Sequence, residues 1–496
     1  MMKKLLLTFC LLLGQIGLSH PFVQAATADT ISFRQAQDLA AYFHALTSGE
    51  TSYKADQATL VQRVSNPVQG APVAYYFNID QGGWVILSGS TVSHPVIAYS
   101  EYGTLDSANY SPAMESWMAD YCQMIVDAQN RQVEPTEDIY KEWNTLFSHS
   151  LDPFPQSKDQ QWLVATQWNQ SNPYNFYCPV LGGQHCLVGC VATAMAQVVR
   201  YYQFPTIGKS SKSYREPYTI DGDNTVYYRP PVSINFSQTY YDYANMPSVL
   251  TSSSDSVEIK ATALLCFHLG VAVDMEYGTT GSAAYHDAVA TAMRRYFKYK
   301  QGTPRYRSEF SDQEWMDTLG SEIRAHRPVL YSAASSIGDG RDAAGHQFIC
   351  DGINPSQSNL FHFNWGWGGY CDGWFDMSTI NGLDPSSYNF CLRQFGLFGV
   401  EPPNDSNRYV GVHTTDITAE ALPAYPNPAF SIITIPYTLQ GVAQSSLQIF
   451  DITGKMVQEV RVEEGSNEAT INVLNYPKGI YLYRLKGGKS HKFLVR

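Results

Sequence analysis

Two stretches of this 496-residue chain carry neither the helical nor the strand period, and they limit its architecture more than any other feature. The first, 148–160, is polar and holds Pro153 and Pro155; the second opens Pro402-Pro403 and runs through Asn404-Asp405-Ser406-Asn407. They cut the chain into blocks of about domain size, so two to four separately packed units are expected rather than one small domain. Aromatic residues make up 13% and hydrophobic residues 44%, enough apolar surface to offset the entropy of ordering the chain. Only 16% are charged and the net charge is −12, which repels phosphate backbones, so no nucleic-acid partner is expected.

The opening Met1-Met2-Lys3-Lys4, the apolar run Leu5–Leu13 and the small residues Ala25-Ala26 follow signal-peptide order, with cleavage expected after Ala25. No later stretch is apolar enough to span a bilayer. Beyond Cys10 eight cysteines remain, an even number that would permit full pairing in an oxidising compartment. They are sparse and several sit in apolar runs such as Leu264-Leu265-Cys266-Phe267, which argues against a dense disulfide framework. No C-x-x-C pair occurs, so neither a zinc ribbon nor a thioredoxin-type site has its usual signature, and no metal or other cofactor is expected.

The block before the first break reads as a helix at 33–43, a hairpin of strands 72–78 and 83–88, a further strand at 95–100 and a closing helix at 114–128. Helical patterns in the central block fall at 190–202, 257–271, 283–297 and 312–326, and its second half turns to strands. The last 75 residues or so read as a small antiparallel sandwich, with strands at 447–451 and 479–485.

The chemistry concentrates in the central block. In Gly189-Cys190-Val191-Ala192-Thr193-Ala194 a cysteine opens an Ala-rich helix, so backbone N–H groups and the positive dipole end face its sulfur and favour the nucleophilic thiolate. Taken alone, such a cysteine is as readily a small buried residue. A thiolate nucleophile needs a base. His268 lies in an apolar helix, His286 and His326 lie on or at the ends of helices, His185 is in a cysteine-crowded loop and His362 is mid-strand between two phenylalanines. His346 follows the glycine-bearing loop 338–345 and begins a strand, 156 residues after Cys190, close to the roughly 130–150 of papain-type pairs. The next strand carries Phe363-Asn364-Trp365-Gly366-Trp367-Gly368-Gly369, which brings Asn364 and Trp365 near His346, where a side chain can orient the imidazole. Upstream, Gln167-Trp168-Asn169-Gln170 offers amide donors suited to an oxyanion hole.

Gly-Cys-Val-Ala-Thr-Ala at 189–194, Asn-Gln-x-x-Pro-Tyr-Asn at 169–175, Gly-His at 345–346 and Phe-Asn-Trp-Gly-Trp-Gly-Gly at 363–369 resemble the streptopain family of papain-like cysteine peptidases. The resemblance implies an α+β, papain-like catalytic domain, with Cys190 as nucleophile, His346 as base and acid, Gln170 as oxyanion donor and Trp365, with Asn364 beside it, at the imidazole-supporting position. Which of Asn364 and Trp365 orients His346 stays open, because the family has Trp where papain has its orienting Asn. Residues 72–103 are similar to that family's inhibitory propeptide, and Tyr425-Pro426-Asn427-Pro428, Leu447–Lys455 and Lys478-Gly479-Ile480-Tyr481 resemble a type IX secretion sorting domain.

The organisation expected is a signal peptide at 1–25, an α+β propeptide at 26–150, the peptidase domain at 151–402, a linker at 403–419 and a β-sandwich sorting domain at 420–496. The expected product is a secreted cysteine endopeptidase made as a zymogen. Its partners would be protein or peptide substrates, its own propeptide as intramolecular inhibitor, and outer-membrane secretion machinery engaged through the C-terminal domain. The chief rival is a surface adhesin on a peptidase-like fold; a transglutaminase or amidase would use the same Cys/His chemistry with a different acyl acceptor.

Overall fold

The computed structural model describes residues 29–403 and 418–496, apart from Thr51, Gln81 and the stretches 151–161, 219–226, 334–344, 385–387, 389–393, 422–423, 441–443, 453–454, 464–467 and 486–489. The expected signal peptide, most of the first and second breaks, and the glycine-bearing loop as far as Ala344 lie outside the described residues.

The N-terminal block begins with α1 (Phe33–Ser48), closed at its start by a capping box between Ser32 and Gln35 and at its end by Gly49 in the left-handed region. It extends beyond the 33–43 expected. Four strands follow: β1 (Ala58–Ser65), β2 (Pro72–Ile79), β3 (Trp84–Ser88) and β4 (Val96–Ser100). The β2–β3 hairpin closes through Gly82 and Gly83, both at positive φ (98° and 90°). Ser111 caps α2 (Pro112–Asn130), and Thr136 caps α3 (Glu137–Phe147), a helix with no counterpart in the sequence reading. Its Ile139, Trp143 and Leu146 recur at helical spacing and are all buried.

The central block supplies α4 (Cys190–Tyr202), α5 (Ser256–Ala272), α6 (Asp287–Phe297), β5 (Thr303–Tyr306), α7 (Asp312–Arg324), β6 (Val329–Ala333), β7 (His346–Ile353), β8 (Leu360–Asn364), β9 (Gly373–Asp376) and β10 (Phe395–Phe398). The helix expected from 283 starts four residues later, because Ala283 is committed to a backbone bridge with Glu276. Seven described cysteines are all free, and all but Cys190 are buried.

The two blocks do not pack as independent units. Their strands form one ten-stranded sheet in the order β1-β2-β3-β4-β9-β8-β7-β6-β10-β5, every neighbouring pair antiparallel. The seam is β4 against β9, with Tyr99 opposite Trp374 and Ala98 opposite Phe375. Each strand would otherwise be an open edge with unpaired N–H and C=O groups, and joining them satisfies both. On one face α2 shares a single apolar cluster with α4 and with the buried faces of β7 and β8. On the other, α1 and α3 cover the N-terminal strands together with Leu360 and Trp374. Across the seam the Tyr121 hydroxyl donates to Asp376 Oδ2 (2.6 Å), Asn354 Nδ2 to the Tyr99 hydroxyl (2.8 Å) and Gln357 Nε2 to Glu142 Oε1 (3.0 Å).

The C-terminal region is a two-sheet antiparallel sandwich built from β11 (Thr418–Ala421), β12 (Ile432–Gln440), β13 (Gln444–Asp451), β14 (Met456–Glu463), β15 (Glu468–Asn472), β16 (Gly479–Leu485) and β17 (His491–Val495). Sheets β11-β12-β15 and β14-β13-β16-β17 enclose a core of its own around Ile433, Ile435, Leu447, Ile449, Tyr483 and Phe493. No described helix is long and apolar enough to cross a membrane.

Candidate active site

Cys190 is the first residue of α4, and the backbone before it favours glycine. Gly189 sits at φ 88°, ψ 141°, a conformation side chains avoid, and the thioether end of Met275 packs against the space a Cβ would take. The turn therefore delivers the sulfur, half-buried, to a helix end where no side chain caps the first amides. Burial works against a thiolate here. The His346 charge, a hydrogen bond from that imidazole and the backbone N–H groups of Gln347 and Val191 outweigh it, so the Cys190 thiol is held below its ordinary value.

His346 opens β7, opposite Ala333 on β6. Its Nε2 donates to the backbone carbonyl of Trp365 (2.8 Å), which leaves Nδ1 as the nitrogen available to Cys190. Burial lowers the imidazole's proton affinity, but the Cys190 charge and hydrogen bond, with the Trp365 carbonyl, more than reverse this and raise it. Opposite shifts on neighbouring groups favour a thiolate–imidazolium pair.

Trp365 contributes its main chain as the acceptor, while its ring anchors that main chain. The indole is fully buried, donates to the Cys371 carbonyl (3.0 Å) and packs on Phe348 at 4.5 Å between ring centroids. The Trp365 N–H is taken by Asp372 Oδ1 (2.8 Å), whose carboxyl burial pushes up to about 7. Trp117 of α2 stacks edge-on against Phe363 (4.9 Å) and lies 6.2 Å from Trp365, so the N-terminal block forms part of this wall. Among the described hydrogen bonds, none joins Asn364 to the imidazole. Its amide is spent on Thr166, Gln197 and Gly366, so the imidazole's acceptor is the Trp365 carbonyl rather than an Asn side chain.

Gln170 is buried, and its carbonyl accepts the N–H of Val188 (2.9 Å), two residues before Cys190. One backbone bond thus lays the amide-rich segment along the turn that carries Cys190. Three other histidines of the central block have partners elsewhere. His268 bonds the Tyr241 hydroxyl (3.1 Å) and burial lowers its pKa to about 4. His362 pairs with Asp351 (2.7 Å), and His185 faces the Cys178 carbonyl (3.0 Å). The sequence reading passed over Met275, Gln197 and Asp372. Only Gln197 left a local signal, an amide on the apolar face of an Ala-rich helix.

A cysteine of lowered pKa at a helix start, an imidazole held by a carbonyl and an α+β scaffold fit a papain-like cysteine peptidase. Residues 168–375 match the Peptidase C10 family, 28–125 the Spi protease inhibitor family and 423–496 the secretion system C-terminal sorting domain. Streptopain of Streptococcus pyogenes is 30% identical over 344 residues, which span 66% of this chain and 80% of that protein. The thiol protease/hemagglutinin PrtT of Porphyromonas gingivalis is 29% identical over 343 residues, 67% of this chain and 37% of that protein. The solved structure of a Prevotella intermedia prointerpain A fragment superposes with a TM-score of 0.54 at 27% identity, covering 69% of this chain and 98% of that one. The chain belongs to the streptopain family of cysteine peptidases. It is a secreted thiol protease made as a zymogen, and its sorting domain directs it to the cell surface or the extracellular space. The adhesin reading is not favoured by these matches.

Proposed function

We propose that Cys190 and His346 carry out peptide-bond hydrolysis through an acyl-enzyme, and the observation that carries this reading is the imidazole held at Nε2 by the Trp365 carbonyl (2.8 Å), which leaves Nδ1 for Cys190 at the start of α4. The thiolate attacks the scissile carbonyl carbon. The resulting oxyanion is received by the Cys190 backbone N–H and the Gln170 side-chain amide. The imidazolium then passes its proton to the leaving amine, a thioester remains on Cys190, and His346 activates water to release the acid. Trp365 keeps the ring aligned through its carbonyl, whereas Asn364 acts on the backbone around it. The domain limits at 25–26, 150–151, 402–403 and 419–420 are part of this proposal, as is processing between 148 and 160.

The ion pair has a measurable pH signature. Because the thiol's pKa is depressed, alkylation of Cys190 by iodoacetamide should remain fast well below the ordinary thiol pKa of about 8.5. Because the imidazole's pKa is raised, hydrolysis should decline only as pH climbs through that higher value and the proton for the leaving amine is lost. In His346→Ala the alkylation midpoint should move up toward the ordinary thiol range; an unchanged midpoint would remove the ion pair from the mechanism.

The C-terminal sandwich has its own core, and none of the residues given a catalytic role lies in it. Deleting 420–496 should trap the protein in the periplasm of a host with type IX secretion while leaving the processed peptidase active. Normal surface display of the truncated chain, read by cell fractionation, would refute the export role.

A further inference from the structure

Gln197 stands seven residues after Cys190 on α4, on the same face of the helix two turns further along. It is fully buried among Ala, Val and Met side chains, where an amide is costly unless both of its ends are bonded. Both are. Its Oε1 accepts the backbone N–H of Trp168 (3.1 Å) and Asn364 Nδ2 (3.3 Å), and its Nε2 donates to Asn364 Oδ1 (3.0 Å). Asn364, equally buried, donates to the Thr166 carbonyl (2.6 Å) and accepts the Gly366 N–H (3.1 Å). Two side-chain amides thus tie together three separate pieces of backbone. One is the helix that carries the nucleophile. The second, 166–168, leads in two residues to Gln170. The third, 364–366, has at its centre the carbonyl that holds His346.

We infer that Gln197 is a positioning residue of this peptidase, setting through Trp168 and Asn364 where Gln170 and the Trp365 carbonyl stand relative to Cys190. The inference rests on the roles given above to Cys190, His346 and Gln170. A purely cohesive role would stabilise the core without affecting turnover, whereas a positioning role does both, since misplacing a catalytic group by about 1 Å can cost on the order of 10²-fold. Networks of this kind are all-or-none: with one member removed, the partners keep buried donors and acceptors without counterparts and shift to find new ones.

The test compares Gln197→Met and Gln197→Glu with the parent, each expressed as the full chain, matured with a serine protease that is then inactivated, and counted by iodoacetamide titration. Gln197→Met keeps the volume and removes all three bonds. Its kcat per titrated site should fall about 10- to 100-fold with KM changed less than about threefold, and its alkylation midpoint should rise as His346 loses alignment. In Gln197→Glu the neutral carboxylic acid can donate to Asn364 and accept from Trp168. Its activity relative to the parent should therefore recover on acidification and fall as pH rises through the carboxyl's burial-raised pKa. Parental kcat per site and a parental pH profile in Gln197→Met, with only a lower Tm, would overturn the inference. If that variant does not fold, a pH-independent activity ratio in Gln197→Glu overturns it instead. Cys190→Ala, run alongside, separates the two levels: residual casein hydrolysis there defeats the nucleophile assignment, while an inert Cys190→Ala beside a parental Gln197→Met defeats only the role of Gln197.

Discussion

Cys190→Ala should lower casein hydrolysis by at least about 10³-fold, because it removes the attacking atom while leaving the fold intact. The side chain is small and half-buried at the N-terminus of α4, so truncation to Ala leaves at most a minor cavity and the helix keeps its first turn. His346→Ala should be comparably severe, and the two changes together should cost little more than either alone, since nucleophile and base act as a unit. Full-length Cys190→Ala, expressed alone, should persist uncleaved if maturation is autocatalytic. Hydrolysis retained by the purified Cys190→Ala protein, at a rate above that of a mock purification, would end the assignment.

The isolated N-terminal module, residues 26–150, should inhibit the matured enzyme at micromolar concentration or below. Its α1, α3 and strands carry an apolar cluster on one face, to which the peptidase adds Leu360, Trp374 and the partly buried Trp162. Its other face supplies Trp117 to the wall around Trp365, and its Tyr121 hydroxyl meets the buried carboxylate of Asp376, a charge-assisted bond worth about 1.5–3 kcal/mol. Trp117→Ala in the module should weaken inhibition by roughly 10²- to 10³-fold or more, since emptying a buried tryptophan site costs about 3–5 kcal/mol. Circular dichroism of the variant module would show whether it still folds. A folded wild-type module without effect on the peptidase at micromolar concentration would show that the seam is structural and not inhibitory.

Much of this was legible along the chain because it is local. The Gly189-Cys190 helix start, the His346 strand start and the β2–β3 hairpin depend on neighbours within a few residues, where periodicity and turn chemistry operate. α6 was placed four residues early because a helical pattern cannot report that Ala283 is already bridged to Glu276. The β4–β9 pairing joins residues some 275 positions apart, Tyr99 and Trp374, and strand edges carry no mark of their partner. The division between Asn364 and Trp365 was unreadable for a different reason. Nothing in a sequence distinguishes a residue that acts through its side chain from one that acts through its carbonyl, and the acceptor for His346 is a main-chain oxygen.

The seam between β4 and β9 is short as well as central. β9 is four residues long, and only Trp374 and Phe375 pair across it. Little backbone bonding has to be given up when the two halves part, so the hold of one on the other resides in side-chain contacts across the seam. The same brevity serves the liberated enzyme. A strand this short, started by Gly373 and finished by the carboxylate of Asp376, is a poor template for another molecule's strand. A zymogen joined through a long, flat edge would leave behind an enzyme prone to stick to itself; a seam of two residue pairs exposes little such edge.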